Sequence, residues 1–189
     1  MAQTLLSSAL HAHPRARVAL AILGGSALIA LGAQVSVPML PVPMTLQTLA
    51  VVLVGLTAGS RLGAGAVLAY LAQGAAGLPV FAGGAAGAAW LMGPTAGFLW
   101  GFVAMAFLAG LAVERGLARG FPSTLVAVLA VSAMVYVPGV LWLTTVTPLD
   151  LSGAVARGMT PFLLGDAVKA LIAALAVTGA WSALRGRRA

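Results

Sequence analysis

Residues 159–184 read MTPFLLGDAVKALIAALAVTGAWSAL, and this stretch decides the class of fold. It is long and apolar enough for a membrane-spanning helix, which needs about 20 such residues. Within it lie Asp166 and Lys169, the only lysine in the chain. An ionisable group at membrane depth costs about 2.5–3.5 kcal/mol on insertion scales, so both groups need a partner or a purpose. At a spacing of three residues they share one helical face.

The composition indicates an integral membrane protein. Of the 189 residues, 61% are hydrophobic and only 7% are charged. A soluble domain of this size cannot bury that much apolar surface, so the bilayer is the expected solvent. The net charge of +7 does not indicate nucleic-acid binding, because the basic residues stand at the ends of apolar runs, where they act as topology signals.

The fold expected from this pattern is all-α, a single membrane domain over residues 1–189 with six transmembrane helices. A basic tail over residues 1–17 precedes the first helix. The predicted spans are about 18–37, 44–60, 62–78, 95–113, 121–143 and 159–184.

Charge placement predicts the orientation of these helices. With the N-terminus in the cytoplasm and six spans, eight of the nine arginines fall on the cytoplasmic side, and only Arg157 falls outside. The positive-inside rule therefore favours six helices with both termini cytoplasmic.

The three outer connections, at about residues 35–43, 79–94 and 144–160, are longer than the inner turns and rich in Gly or Pro. The first two carry no charge. Irregular backbone at membrane depth is tolerated where it is buried in protein or lines a cavity. We therefore predict that the outer loops fold over a substrate pocket, with simple interfacial turns as the alternative.

Most catalytic chemistry is excluded. The chain has no P-loop motif, and its only histidines, His11 and His13, precede the first span. This removes a Ser-His-Asp triad and a membrane-embedded zinc site, so no metal and no cofactor are expected. Asp166 is the only acid within a predicted span, which removes a two-aspartate protease. A Ser-Lys dyad stays formally open, but no serine lies at local helical spacing from Lys169, and we predict that the chain is not an enzyme.

The Asp166–Lys169 pair is the predicted centre of the substrate site, about seven residues or roughly 10 Å into the last helix. The alternative is a structural ion pair. Further candidate substrate-binding residues are polar groups of the second and third helices and loop residues that can approach or stack on a ligand: Thr45, Gln47, Tyr70, Gln73, Phe81, Gly83, Gly84 and Trp90. Thr45 can instead cap a helix, and Trp90 can be an interface anchor.

The first helix carries two small-xxx-small spacings, Ala21 with Gly25 and Ser26 with Ala30. Such spacings let helices approach closely. They serve either packing within the chain or docking of another membrane subunit, and the sequence leaves both open.

Three stretches resemble the BioY family, the biotin-specific substrate-binding components of energy-coupling-factor (ECF) transporters. They are PVPMTLQTLAVVLVGLTAGSRLGAGAVLAYL at 41–71, GLPVFAGGAAGAAWLMGPTAGFLWGF at 77–102 and PFLLGDAVKAL at 161–171. The chain departs from the family where Met44 stands in place of a frequent Phe and Leu164 in place of a frequent Pro.

The resemblance implies a six-helix protein of a bacterial-type plasma (inner) membrane that captures biotin near its outer face, with Asp166 and Lys169 binding the vitamin. It also implies partners, namely a transmembrane coupling subunit and two ABC-type ATPases. The alternative from another class is a proton-coupled carrier for a small polar solute in which Asp166 titrates.

Overall fold

A computed structural model describes residues 14–186 of the chain. Most of the predicted basic tail therefore lies outside the described residues, as do Arg187 and Arg188. The α-helices of the described part are α1 Pro14–Gln34, α2 Gln47–Ala58, α3 Ser60–Ala75, α4 Ala96–Glu114, α5 Phe121–Met134, α6 Tyr136–Val146, α7 Leu151–Gly158 and α8 Leu163–Gly186.

The predicted all-α membrane-type architecture is confirmed at this level. Four helical stretches of the described residues are long and apolar enough to cross a membrane: Arg15–Gln34, Ala96–Glu114, Phe121–Val146 and Leu151–Ala183. Helices α2 and α3 overlap the second and third predicted spans but are shorter, with 12 and 16 residues. The count of six spans stays a prediction.

Two details differ from the sequence-based expectation. A short antiparallel ladder joins β1 Ser36–Val37 to β2 Met44–Thr45 before α2. The fifth predicted span is divided at Val135 into α5 and α6. Pro138 lies just past this division, and it has no backbone N–H to donate to the turn that precedes it.

Helix α4 lies at the centre of the bundle. It packs against α2 and α3 on one side and against α5 and α6 on the other, while α8 packs against α2 and α5. The helix α1 packs on α2 and α3 and leaves most of its surface open, with Leu20, Leu23 and Leu31 exposed. This asymmetry is the one expected when lipid rather than water surrounds the bundle.

Glycines set how closely α4 approaches its neighbours. A Cβ at Gly110 would overlap the backbone of Gly59 and Ser60, where α2 turns into α3. Gly59 has φ 88°, a conformation that glycine adopts without strain. At the other end of α4, the Phe98 ring occupies the space above Gly139 of α6.

The helix α7 is a short connection between α6 and α8. Its N-cap is Asp150, whose carboxylate accepts hydrogen bonds from the Gly153 N–H and the Ser152 hydroxyl. These donors hold the pKa of the Asp150 carboxyl below its usual range. Asp150 therefore caps α7 as an anion at neutral pH.

We expect Gly110→Ala to destabilise the protein by about 1–3 kcal/mol, because the new methyl group meets rigid backbone rather than a movable side chain. Thermal unfolding of the purified protein in a single detergent measures the effect. The matched control is Gly24→Ala, since a Cβ at Gly24 has no atom within 4 Å. Equal melting temperatures for the two variants would show that the α3–α4 contact does not depend on Gly110.

Candidate functional site

A cavity with about 630 Å³ of space, part of it open solvent, lies among α2, α4, α6 and α8. Its polar wall contains Thr45, Gln47 and Thr48 from β2 and α2, Tyr136 from α6, and Asp166 and Lys169 from α8. Its apolar wall is built largely by the first two turns of α4 and by the segments before α2 and α8: Val42, Pro43, Phe98, Leu99, Phe102, Val135 and Phe162. Its mixture of apolar walls and a few polar groups is typical of small-molecule sites.

The Asp166–Lys169 pair forms the charged centre of the cavity. The ammonium Nζ lies 2.9 Å from Asp166 Oδ1, and the two residues are 7% and 8% exposed. Thr48 donates to the same Oδ1 at 3.0 Å and accepts from Lys169 at 3.1 Å. Tyr136 donates to Asp166 Oδ2. Because both carboxylate oxygens have donors, the buried charge is compensated by groups from three helices.

Asp166 lies nearer the start of its helix than the sequence suggested. The residues Thr160–Phe162 form a 3₁₀ turn, and α8 begins only at Leu163. Asp166 therefore lies in the first turn of α8, whereas the sequence predicted a position about seven residues into this helix. A carboxylate in the first turn is favoured by the unpaired N–H groups and the dipole of the helix. The pair therefore lies near the N-terminal end of α8.

A second layer of hydrogen bonds holds Gln47 in place. Its amide Nε2 donates to the Tyr70 hydroxyl at 2.7 Å, and its Oε1 accepts from the Thr45 hydroxyl at 3.1 Å. Tyr70 has no exposed surface and lies behind the cavity rather than in its wall. In this structure Tyr70 supports Gln47, which lines the cavity, and its contact with a ligand stays a prediction.

The connection between α3 and α4 brings Phe81, Ala82 and Trp90 to the cavity. Phe81 packs edge-on against Tyr70, with ring centroids 5.5 Å apart, and its ring fills the space above Gly74. The backbone of the connection is also bonded to the bundle, since the Gly87 N–H donates to the Gly74 carbonyl at 2.8 Å. The connection is thus fastened to α3, as expected of backbone that lines a cavity.

The remaining candidate ligand contacts lie elsewhere. Gln73 does not line the cavity but exchanges hydrogen bonds with Ser26 of α1 at 3.0–3.2 Å. Gly83 and Gly84 form a turn with φ 68° and 75°, beside the lining residue Ala82. Their positive φ indicates a conformational role in this turn.

The two small-residue spacings of α1 are partly used within the chain. Gly25 faces Ala66 and Val54, and Ser26 is buried against Gln73. Ala21 and Ala30 are half-buried on the same helix. These contacts match the interpretation as packing within the chain, and the docking interpretation stays a prediction.

Sequence reasoning missed three polar residues of the cavity: Thr48, Tyr136 and Thr95. Thr48 follows Gln47 in a motif already singled out, so its position offered a signal. Tyr136 gave none, because its place beside Asp166 depends on the packing of helices 30 residues apart in sequence.

Comparison with solved structures finds the same fold in the biotin S-component of an ECF-type ABC transporter. The TM-score is 0.81 at 24% identity, with 96% of this chain and 95% of the other covered. Among curated proteins, the chain is 40% identical to the biotin transporter BioY of Thermotoga maritima over 150 residues, which is 79% of this chain and 87% of that protein.

Two further relatives agree. A probable biotin transporter BioY of Pyrococcus horikoshii is 40% identical, covering 79% of this chain and 86% of that protein. The BioY of Rhizobium etli is 38% identical, covering 75% and 79%. The family model described as the BioY family matches residues 3–186. On this match, which extends over nearly the whole chain, the protein belongs to the BioY family.

Proposed function

We propose that this protein captures biotin in the cavity at Asp166 and Lys169 and takes it up as the substrate-binding membrane component of an ECF-type transporter. The observation that carries the proposal is the buried, compensated ion pair in a largely apolar cavity of a BioY-family protein. The relatives named above are biotin transporters, which supports the choice of ligand and of transport over catalysis.

The hydrogen-bonding capacity left at the pair suits a ureido ring. Lys169 has three donors, of which two point to Asp166 and Thr48, so one is left for a carbonyl oxygen. The carboxylate accepts about four hydrogen bonds and receives three within the described residues, so one position on Asp166 Oδ2 is left for an N–H. The second N–H of the Gln47 amide adds a further donor. Biotin's ureido group offers two N–H donors and one carbonyl acceptor.

The apolar walls suit the rest of biotin. Phe98, Leu99 and Phe102 repeat along one face of α4, and Phe162 stands at the entrance to α8. A thioether ring and an aliphatic tail gain free energy by leaving water for such a surface, about 25 cal/mol for each Å² buried. The cavity therefore matches a ligand with one polar ring and a longer apolar body.

Transport needs an energy source, and the chain has no P-loop motif with which to bind and hydrolyse ATP. We propose that a transmembrane coupling subunit and two ABC-type ATPases supply it, and that the carrier works without a bound cofactor. Co-expression with these partners is expected to make biotin uptake depend on ATP hydrolysis. Uptake without them that collapses with the proton gradient would favour instead the proton-coupled carrier.

We expect Asp166→Asn and Lys169→Met each to weaken biotin binding at least about 100-fold, because each removes a charge-assisted hydrogen bond and leaves the other charge unpaired. Equilibrium binding of radiolabelled biotin to the purified protein measures this. The matched controls Asp150→Asn and Arg157→Met alter the charges of α7 outside the cavity and are expected to bind normally.

Unpairing a buried charge also destabilises a protein, so the double variant Asp166→Asn/Lys169→Met separates the two effects. It contains no uncompensated charge, and we expect it to be inserted and monodisperse but unable to bind biotin. Normal binding by the double variant would show that the pair is purely structural.

Thr48 and Tyr136, the uncharged donors to Asp166, are expected to hold its carboxylate in the orientation that binds biotin. Thr48→Val and Tyr136→Phe each remove one donor to Asp166, so we expect biotin affinity to fall about 10-fold. Titration with biotin measures the shift, and Thr144→Val is the control because its hydroxyl bonds only its own helix. Affinities equal to that of the unaltered protein would remove Thr48 and Tyr136 from the site.

We propose six spans with both termini in the cytoplasm of a bacterial-type plasma membrane. The chain has no cysteine, so a single introduced cysteine reports topology directly. In cells, Leu40→Cys and Ser152→Cys are expected to react with a membrane-impermeant maleimide, and Leu117→Cys only after permeabilisation. All three positions are exposed, and Leu40 is 92% exposed. The reverse labelling pattern would contradict this orientation.

A further inference from the structure

Gln34, the last residue of α1, bonds this helix to the connection between α3 and α4. Its amide Nε2 lies 3.3 Å from the Ala30 carbonyl, 3.3 Å from the Val80 carbonyl and 3.2 Å from the Phe81 carbonyl. The amide has two N–H groups and only one of these carbonyls belongs to α1, so at least one N–H donates to the connection. Within residues 14–186, the Val80 carbonyl accepts from no other group. Gln34 is therefore the side chain through which α1 holds this part of the connection.

Phe81 links this bond to the cavity. Its ring is buried, lines the cavity and packs edge-on against Tyr70, which in turn bonds the lining residue Gln47. The Phe81 carbonyl accepts from the Gly84 N–H at 3.1 Å as well as from Gln34. Gln34 does not line the cavity. It thus holds the backbone of a residue whose ring forms part of the cavity wall.

The same turn of α1 also holds the segment before α2. The Leu46 N–H donates to the Gly32 carbonyl and to the Val35 carbonyl, both at 3.1 Å. A Cβ at Gly32 would lie 3.2 Å from the Leu46 carbonyl oxygen, so the two backbones approach closely. Leu46 directly follows the lining residue Thr45. The end of α1 is therefore bonded to both of the irregular segments that contribute residues to the cavity wall before α2 and before α4.

The helix α1 is the loosely packed part of this arrangement. In the apolar stretch of α1 only 17% is buried inside the protein, against 61% in that of α4. Gln34 itself is exposed. Local opening needs least free energy where few buried contacts have to be broken. The Gln34 bonds can therefore break while the packing of α4 against its neighbours stays intact.

We propose that Gln34 is a positioning residue that holds the α3–α4 connection against the cavity and thereby slows the release of bound biotin. This inference rests on the proposed function, because it takes biotin as the ligand of this cavity. Gln34 acts through the backbone of Val80 and Phe81 and does not touch the ligand. Its bonds must break before the connection moves away, so they add to the barrier for release and not to the barrier for entry into an open cavity.

The test compares biotin release from the unaltered protein and from Gln34→Met, which keeps the length of the side chain but has no N–H donor. Purified protein is loaded with radiolabelled biotin and chased with an excess of unlabelled biotin. We expect dissociation to be at least about fivefold faster, which corresponds to the net strength of about one hydrogen bond, and association not to be slower. The matched control is Leu31→Met, an exposed residue of the same turn, with unchanged release expected.

A tether separates positioning from a general structural effect. The chain has no cysteine, so Gln34→Cys/Val80→Cys can be joined by a short, reducible bis-thiosulfonate cross-linker. Before cross-linking, this variant has lost the Gln34 donor and is expected to release biotin as fast as Gln34→Met. The cross-link fastens α1 to the connection again, so release is expected to return close to the rate of the unaltered protein. Reduction of the cross-link is expected to make release fast once more.

The inference is overturned if Gln34→Met releases biotin as slowly as the unaltered protein does. It is also overturned if Gln34→Met slows association, or if the cross-linked variant still releases biotin fast. In each of these cases the unaltered protein still binds biotin, and the proposed function stands. Absence of saturable biotin binding by the unaltered protein would overturn the proposed function and this inference with it.

Discussion

Helices in a bilayer gain little from hiding apolar side chains against one another, because lipid is as apolar as the side chains are. Their association depends instead on close backbone approach and on hydrogen bonds. Gly110 meets this constraint by accepting the backbone of Gly59 and Ser60, and Gly139 meets it by accepting the ring of Phe98. The central position of α4 depends on these contacts, and so does the position of every residue that α4 contributes to the cavity.

The same constraint governs the polar groups. An unpaired charge inside the bundle would be costly, so Asp166 and Lys169 persist only with each other and with donors from two neighbouring helices. This arrangement joins α8 to α2 and α6 at one point. It also leaves a few unused hydrogen-bonding positions in an apolar surrounding, which is the combination a selective small-molecule site requires.

Prediction from the sequence succeeded where the physical signal is local. The apolar runs predicted membrane-type helices, and the rarity of charge singled out Asp166 and Lys169, which form an ion pair in the cavity wall. Their role in substrate binding stays a prediction. Prediction was weaker where separation along the sequence does not indicate which residues are close in the folded protein. Polarity and a spacing of three residues in one helix predict Tyr70 and Gln73 as ligand contacts, but neither residue lines the cavity. Tyr70 instead supports Gln47, and Gln73 bonds Ser26. Tyr136 and Thr95 were missed, since nothing near them in the chain marks them as polar groups of a cavity.

The sequence by itself determined that the chain is a membrane protein, which residues are charged within its apolar segments, and which chemistry it lacks. These properties follow from composition and from the cost of charge in lipid, and they do not depend on how the helices are arranged. Only the tertiary structure decided that Tyr136 completes the shell of Asp166 and that α8 begins late enough to place Asp166 in its first turn. Each of these depends on contacts between segments far apart in the chain, where packing and not local propensity sets the geometry.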